Sequence, residues 1–286
     1  MKFSVIVPCY NQAQYLFGLL DNVAMTTRHE HEVIIINDGS TKARTKEMID
    51  RLMPAGAHQK IVVIHQKNKG LASTRNIGIN KAKGEFIQFL DSDDVLVTGK
   101  LDRQADLMER DHLDIAIDEY VLADDDLCDI TPSHDVVGSY EITAVQIARK
   151  WERGMSIPIH CPLIRRKSLG KLRFAEGARA KEDFIFWLQF FAEPRQYAFT
   201  GIVGAIYRVH AASMTRADNT GSGFQWLNAI REIGKRVPEA FDEQTTSEAL
   251  DHFNRFYLRF FYEKDARFNK NVFGVYLQNV LEESGR

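Results

Sequence analysis

Along the first 120 residues, short runs of apolar and β-branched side chains alternate with longer stretches of helical period. Residues 3–7 read as a strand and 15–25 as a helix. A second strand at 32–36 precedes a helix near 45–53, a third at 61–65 precedes a helix at 73–82, and 85–90 reads as a fourth. A helix at 99–111 then leads to a mostly apolar strand at 113–117. Strands this largely apolar, alternating with helices, predict an α/β fold with a mostly parallel central sheet flanked by helices. The pattern weakens over 118–139, where acidic and turn residues predict a hairpin or loop. Helices are expected at 142–153 and 184–191, and strands at 157–164 and 197–207. A Ser, Thr, Asn and Gly-rich stretch at 211–223 predicts a mobile loop, followed by helices at 224–236, 239–262 and 271–283. The chain thus divides into an α/β domain over 1–215, with halves at 1–118 and 119–215, and a C-terminal helical region over 216–286.

Composition narrows the class of protein more than it names one. The 286 residues are 44% hydrophobic and 27% charged, ordinary values for a globular chain with a core. A formal net charge of -2 gives no overall attraction to nucleic acid. Cys9, Cys128 and Cys161 are widely spaced with no CxxC pair, which argues against a disulfide framework or structural zinc and fits a reducing compartment. The apolar run before Pro8 is too short for a signal peptide, and no stretch reaches the roughly 18 apolar residues of a spanning helix. A cytoplasmic protein is expected, with peripheral contact at the inner face of the cell membrane left open.

Candidate chemistry gathers where such sheets bind ligands, at the carboxyl ends of the strands. Asp91, Ser92, Asp93 and Asp94 follow the fourth strand. Crowded carboxylates repel unless a cation neutralises them, so Mg²⁺ or Mn²⁺ shared with substrate phosphates is one reading; a solvated turn capping the next helix is the other. Asn37, Asp38, Gly39, Ser40 and Thr41 follow the second strand, where Asp38 could accept from a base or ribose or simply form an Asx turn. Pro8, Cys9, Tyr10 and Asn11 follow the first. Arg75 lies early in the helix opened by residues 68–78, where a planar donor fork suits a phosphate or base carbonyl, or a surface ion pair. Each feature alone is weak; all four fall on one rim.

Together these segments resemble family 2 glycosyltransferases of the GT-A fold, in order and spacing. Lys181, Glu182 and Asp183 ahead of an aromatic helix with Trp187 are similar to the family's acidic pair that supplies the base. Residues 207–215 resemble the segment closing over the diphosphate. The resemblance covers about the first 215 residues and implies a Rossmann-like nucleotide-binding half at 1–118 and an acceptor-side half at 119–215. It implies that Pro8, Tyr10 and Asn11 line the nucleotide pocket, Asp38 bonds uracil or ribose, Arg75 touches the nucleotide, and Asp91 and Ser92 lie by the ribose. Asp93 would hold Mn²⁺ or Mg²⁺, His210 would be a metal or diphosphate ligand, and Asp183 would be the general base of an inverting transfer. The implied donor is a nucleotide-sugar, with UDP favoured, carrying a hexose or N-acetylhexosamine. The implied acceptor is a hydroxyl of a glycan or lipid-linked molecule in surface polysaccharide assembly. Asn37 stands where many relatives have Asp, and Lys42 where an acidic residue is frequent, which bears on the donor base.

Two rivals remain at this level. A non-catalytic nucleotide-sugar or glycan-binding protein would not need Asp93, Asp183 and His210 together. A sugar nucleotidylyltransferase should carry a Gly-rich basic loop after the first strand, where this chain has Pro8 to Gln12. Asp124, Asp125 and Asp126 read as a solvated hairpin turn, and His29, His31, His58 and His65 as surface or edge residues. Phe253, Phe256, Tyr257, Phe260 and Phe261 form one helical face, expected to pack on the catalytic domain, with a homodimer or membrane-surface contact as the alternative.

Overall fold

The computed structural model describes residues 1–133, 138, 141–151, 155–176 and 182–210. The expected loop at 211–223, the three helices after it, their aromatic face and Lys181 lie outside the described residues.

Four β-branched, fully or partly buried strands form the parallel half of the sheet. They are β1 (Phe3–Cys9), β2 (His31–Asp38), β3 (Gln59–Gln66) and β4 (Phe86–Phe89), ordered β3-β2-β1-β4. The alternation of side chains across β1 decides which layer each joins. Phe3, Val5 and Val7 face α1 (Leu16–Thr26), α2 (Ala43–Asp50) and α4 (Lys100–Arg110), while Ile6 faces α3 (Leu71–Lys81) and the aromatic helix on the opposite side. In α1 the buried residues Leu16, Leu19, Leu20 and Val23 keep the i, i+3, i+4, i+7 spacing that turns one stripe to the core.

Helix α3 departs from that rule. It buries Ser73, Thr74, Arg75 and Asn76 alongside Ala72 and Ile79, so polar side chains occupy the inner face. It also lies very close to β1: a Cβ on Gly78 would stand 2.3 Å from Ile6 Cγ2, which only glycine permits. A helix held this tightly over buried polar groups marks a site rather than a plain core element.

Beyond β4 the sheet becomes mixed. It continues through β8 (Pro162–Arg165), β6 (Ile115–Ala123), β9 (Tyr197–Arg208) and the two-residue β5 (Val95–Leu96), with β7 (Ile130–Pro132) paired to β6 off this path. Strand β8 runs antiparallel to both β4 and β6, whereas β9 is parallel to β6. Helix α7 (Glu182–Phe190) buries Phe184, Phe186, Trp187 and Phe190 against this half. The short α5 (Ala144–Lys150) and α6 (Arg166–Leu169) complete it.

Several elements differ from the expectation. Of the expected strand 157–164 only Pro162–Ile164 is in the sheet, as part of Pro162–Arg165; Pro158 cannot donate to a ladder, and Cys161 N instead closes a turn onto Pro158 O at 3.0 Å. The expected helix 142–153 is shortened to Ala144–Lys150, capped by Thr143, whose side chain accepts from Gln146 N. His31 is buried rather than at the surface, with Nδ1 2.9 Å from His29 O. No helix among the described residues is long and apolar enough to cross a membrane.

Candidate donor and catalytic site

The loops after β1, β2, β3 and β4 meet on one rim because parallel strands share a carboxyl end. Asn11, in the left-handed region at φ 59, staples the first two together. Its N–H donates to Ser40 Oγ at 2.9 Å, and its Oδ1 accepts from Thr41 N and Lys42 N at 2.9 and 3.0 Å. Asn37 Oδ1 accepts from Ser40 N at 3.0 Å, closing the second loop from within. Pro8 is buried at the end of β1, and Tyr10 stands exposed at the rim.

Asp38, the last residue of β2, holds the third loop. Its Oδ1 accepts from Gln66 Nε2 at 2.6 Å and Lys69 N at 2.8 Å, and its Oδ2 from Gly70 N at 2.9 Å. The carboxylate therefore sits at the N-terminus of α3, where its charge is favoured. Gly39 is needed here twice over: its φ is +69, and a Cβ would lie 2.6 Å from Asn68 N. Its close approach is to the chain's own third loop.

Two flanks diverge from the acidic run at 91–94. On one, Arg75 is 2% exposed; Nη2 donates to Asp91 Oδ1 at 2.7 Å and Nη1 to Glu182 Oε1 at 2.8 Å. Burial opposes the charge, but Asp91 and Glu182 outweigh it and hold the guanidinium pKa above its ordinary range. Glu182 is pushed up by burial and by neighbouring Asp183, with Arg75 pulling the other way. Asp183, part-exposed in the first turn of α7, accepts from Phe184 N at 2.8 Å.

On the other flank, Asp93 Oδ2 accepts from Gln12 Nε2 at 3.0 Å and lies 2.9 Å from His210 Nε2. Ser92, buried, donates to Gln12 Oε1 at 2.8 Å. Arg208 donates through Nε to Asp93 O at 2.7 Å and lies 5.0 Å over the Tyr15 ring, which also stacks with His210. Asp125, in the turn between β6 and β7, accepts from Tyr15 Oη at 2.9 Å and, through its carbonyl, from Arg208 Nη1.

Beneath the run lies a polar floor. Asp94 Oδ2 is 2.7 Å from His160 Nδ1, both fully buried, and Asp94 Oδ1 accepts from Arg208 N at 3.0 Å. Burial opposes protonation of His160, yet the Asp94 carboxylate raises it to about 10. The His160 segment is fixed by Gln88, which donates to His160 O at 3.0 Å, and by Lys100, which donates to Cys161 O, Gln88 Oε1 and Gln104 Oε1. Burial lowers the Lys100 pKa to about 8.

The structure thus brings Asp91, Ser92, Asp93, His210 and Arg75 together, joins Asp183 to them through Glu182, and puts Asp38, Asn11 and Tyr10 on the same rim. Arg75, expected on the nucleotide, has both Nη groups committed to carboxylates. Gln12, Tyr15, Arg208, His160 and Lys100 carry contacts that sequence reasoning did not assign. Lys100 gave one signal: a cation at the first residue of a helix opposes the dipole, which calls for buried acceptors. Cys9 is an inert thiol, pushed up to about 11 by burial.

No group of three or more His, Cys, Asp or Glu side chains forms a metal cage among the described residues. A carboxylate and an imidazole facing each other, Asp93 and His210, nevertheless fit the donor chemistry of a divalent ion.

A parallel half-sheet whose carboxyl rim gathers loops, an acidic run and a helix N-terminus, continued by a mixed half, defines an α/β fold. Glycosyl transferase family 2 matches residues 4–173, and the chain belongs to that family. An uncharacterized glycosyltransferase of Haemophilus influenzae is 30% identical over 198 residues, 68% of this chain and 73% of that protein. EpsJ of Bacillus subtilis, also named an uncharacterized glycosyltransferase, is 31% identical over 218 residues, 74% of this chain and 62% of its own. A Rickettsia bellii relative is 28% identical across 77% of this chain, which spans only 29% of that protein's length. Among solved structures, S. aureus TarS 1-349 in complex with UDP-GlcNAc superposes with a TM-score of 0.64 at 17% identity, covering 94% of each chain, and so shares the fold.

Proposed function

We propose that the chain is an inverting transferase that moves a hexose or N-acetylhexosamine from a UDP-sugar to a hydroxyl of a glycan or lipid-linked acceptor. Its setting is cytoplasmic assembly of surface polysaccharide, with contact at the membrane face where the acceptor is lipid-linked. The observation that carries the reading is the divided acidic run: Asp93 faces His210 at 2.9 Å, while Asp91 is tied through Arg75 to the helix bearing Asp183. The fold shared with a UDP-GlcNAc complex supports the choice of donor.

In this reading Tyr10 and Asn11 shape the nucleotide pocket over buried Pro8, Asp38 supports it from below by holding Lys69 N and Gly70 N, and Asp91 presents a carboxylate to the ribose. Asp183 accepts the proton of the acceptor hydroxyl as that oxygen attacks the anomeric carbon from the face opposite the leaving UDP. Asp93 and His210 would hold Mn²⁺ or Mg²⁺, which supplies positive charge to the departing diphosphate. Their approach to within a hydrogen bond keeps two donors of suitable chemistry side by side at that place.

The test is UDP release from UDP-glucose, UDP-galactose and UDP-GlcNAc with Mn²⁺, using water or an added oligosaccharide as acceptor. Release of UDP with inverted sugar product is the expected result. Binding without release would leave a non-catalytic binder, and pyrophosphate chemistry would point to a nucleotidylyltransferase.

A further inference from the structure

We propose that Arg75 is a positioning residue, a brace that fixes the Asp183 helix against the donor-side carboxylate Asp91, and not a ligand of the nucleotide. The inference rests on the reading of Asp183 as base. A guanidinium this deeply buried is tolerated only when paired, and Arg75 is paired twice, to Asp91 at the end of β4 and to Glu182 at the start of α7. Those residues are 16 and 107 positions away in sequence and belong to the two halves of the sheet. Lysine cannot reproduce the arrangement, because a single ammonium lacks the planar fork that meets two carboxylates in fixed directions.

A second route ties Arg75 to the same helix. Its guanidinium lies 5.4 Å over Phe174, and that ring stacks on Phe186 of α7 at 4.1 Å and 9°. The far end is equally firm: Asp38 holds Gly70 N at the start of α3, and Gly78 lets α3 sit against Ile6. A rigid path therefore runs from the β2 carboxylate through α3 and Arg75 to the residue beside Asp183. A nucleotide ligand would need donors open to the rim, whereas the Arg75 side chain is 2% exposed, both Nη groups are taken by carboxylates, and Nε, the one guanidinium nitrogen with no hydrogen-bond partner among the described residues, is buried beneath the surface. The Asp91 side chain, at 31% exposure, is the end of the brace open to a ligand.

The brace predicts a split between binding and turnover. In the full chain, Arg75→Lys and Glu182→Gln should leave UDP affinity with Mn²⁺ within about threefold of wild type. They should lower UDP release from UDP-GlcNAc by roughly 10²-fold, the scale of a slightly misplaced catalytic group. The double variant should lose little more than either single one, since both cut the same link. Melting curves taken alongside restrict the comparison to folded protein; Arg75→Met strands Glu182 and is the variant most prone to fail that check, which the milder pair avoids. A fall in UDP affinity as large as the fall in turnover, or independent multiplicative effects, would overturn the proposal. Asp183→Asn separates the two ideas. If it keeps turnover, the base reading fails whatever Arg75 does. If it is inactive while Arg75→Lys loses only UDP affinity, the brace alone fails.

Discussion

The two flanks of the acidic run at 91–94 are built from similar charges and arranged for different ends. Around Asp91, a permanently charged arginine is buried and closed off by the protein's own carboxylates. Around Asp93, the partners are an amide from Gln12 and an imidazole from His210, neither of them a permanent charge. A buried fork resists displacement, because removing one partner strands a charge. An amide and an imidazole can give way to a stronger ligand at small cost. The contrast sets a buried, doubly paired cation beside a carboxylate held by an amide and an imidazole, within four consecutive residues.

Three substitutions bear on that contrast. The largest effect belongs to Asp183→Asn, at the end of the stiff flank: UDP release should fall about 10³-fold, the range of a lost general base, with UDP binding retained. Near-normal turnover would remove Asp183 from the chemistry and leave the stiff flank without a purpose. Next is Lys100→Met in the floor beneath both flanks. It leaves Gln88 Oε1 and Gln104 Oε1 without the Lys100 donor, takes one of two donors from Cys161 O, and should cost about 3 kcal/mol of stability at neutral pH, read by denaturant melts. Because the folded pKa of Lys100, about 8, lies below the ordinary 10.5, the folded protein releases that proton first. Wild-type stability measured against Lys100→Met should therefore rise as pH climbs from about 8 to 10.5, and a flat difference would contradict the burial argument. The smallest effect is expected from Gln12→Ala, which frees one hydrogen bond from Asp93: UDP affinity with Mn²⁺ should change by no more than about fivefold. A collapse comparable to loss of Asp93 would show that Gln12 is not an exchangeable partner.

The parallel half was legible in the sequence because β1, β2 and β4 each carry a mostly apolar run and their loops carry the distinctive residues. The mixed half was less so. Strand β8 lies between β4 and β6, and β5 pairs with β9 across a long stretch of chain, so those positions depend on contacts no local period encodes. At two and three residues, β5 and β7 are too short to show a period at all. The site followed the same division. Asp93 and His210 were named from their motifs and meet across 117 positions. The partners Gln12, His160 and Arg208 were not, because each is an ordinary residue whose meaning comes only from what the fold sets beside it.

A role for Asp93 in a metal-dependent diphosphate site is tested by melting the full chain with UDP, with Mn²⁺, and with both, in wild type and Asp93→Ala. Wild type should be stabilised by UDP and Mn²⁺ together, by about 2.7 kcal/mol at a hundredfold excess over Kd, and Asp93→Ala should show no such shift. An equal shift in Asp93→Ala, or none in wild type under any combination, would contradict it.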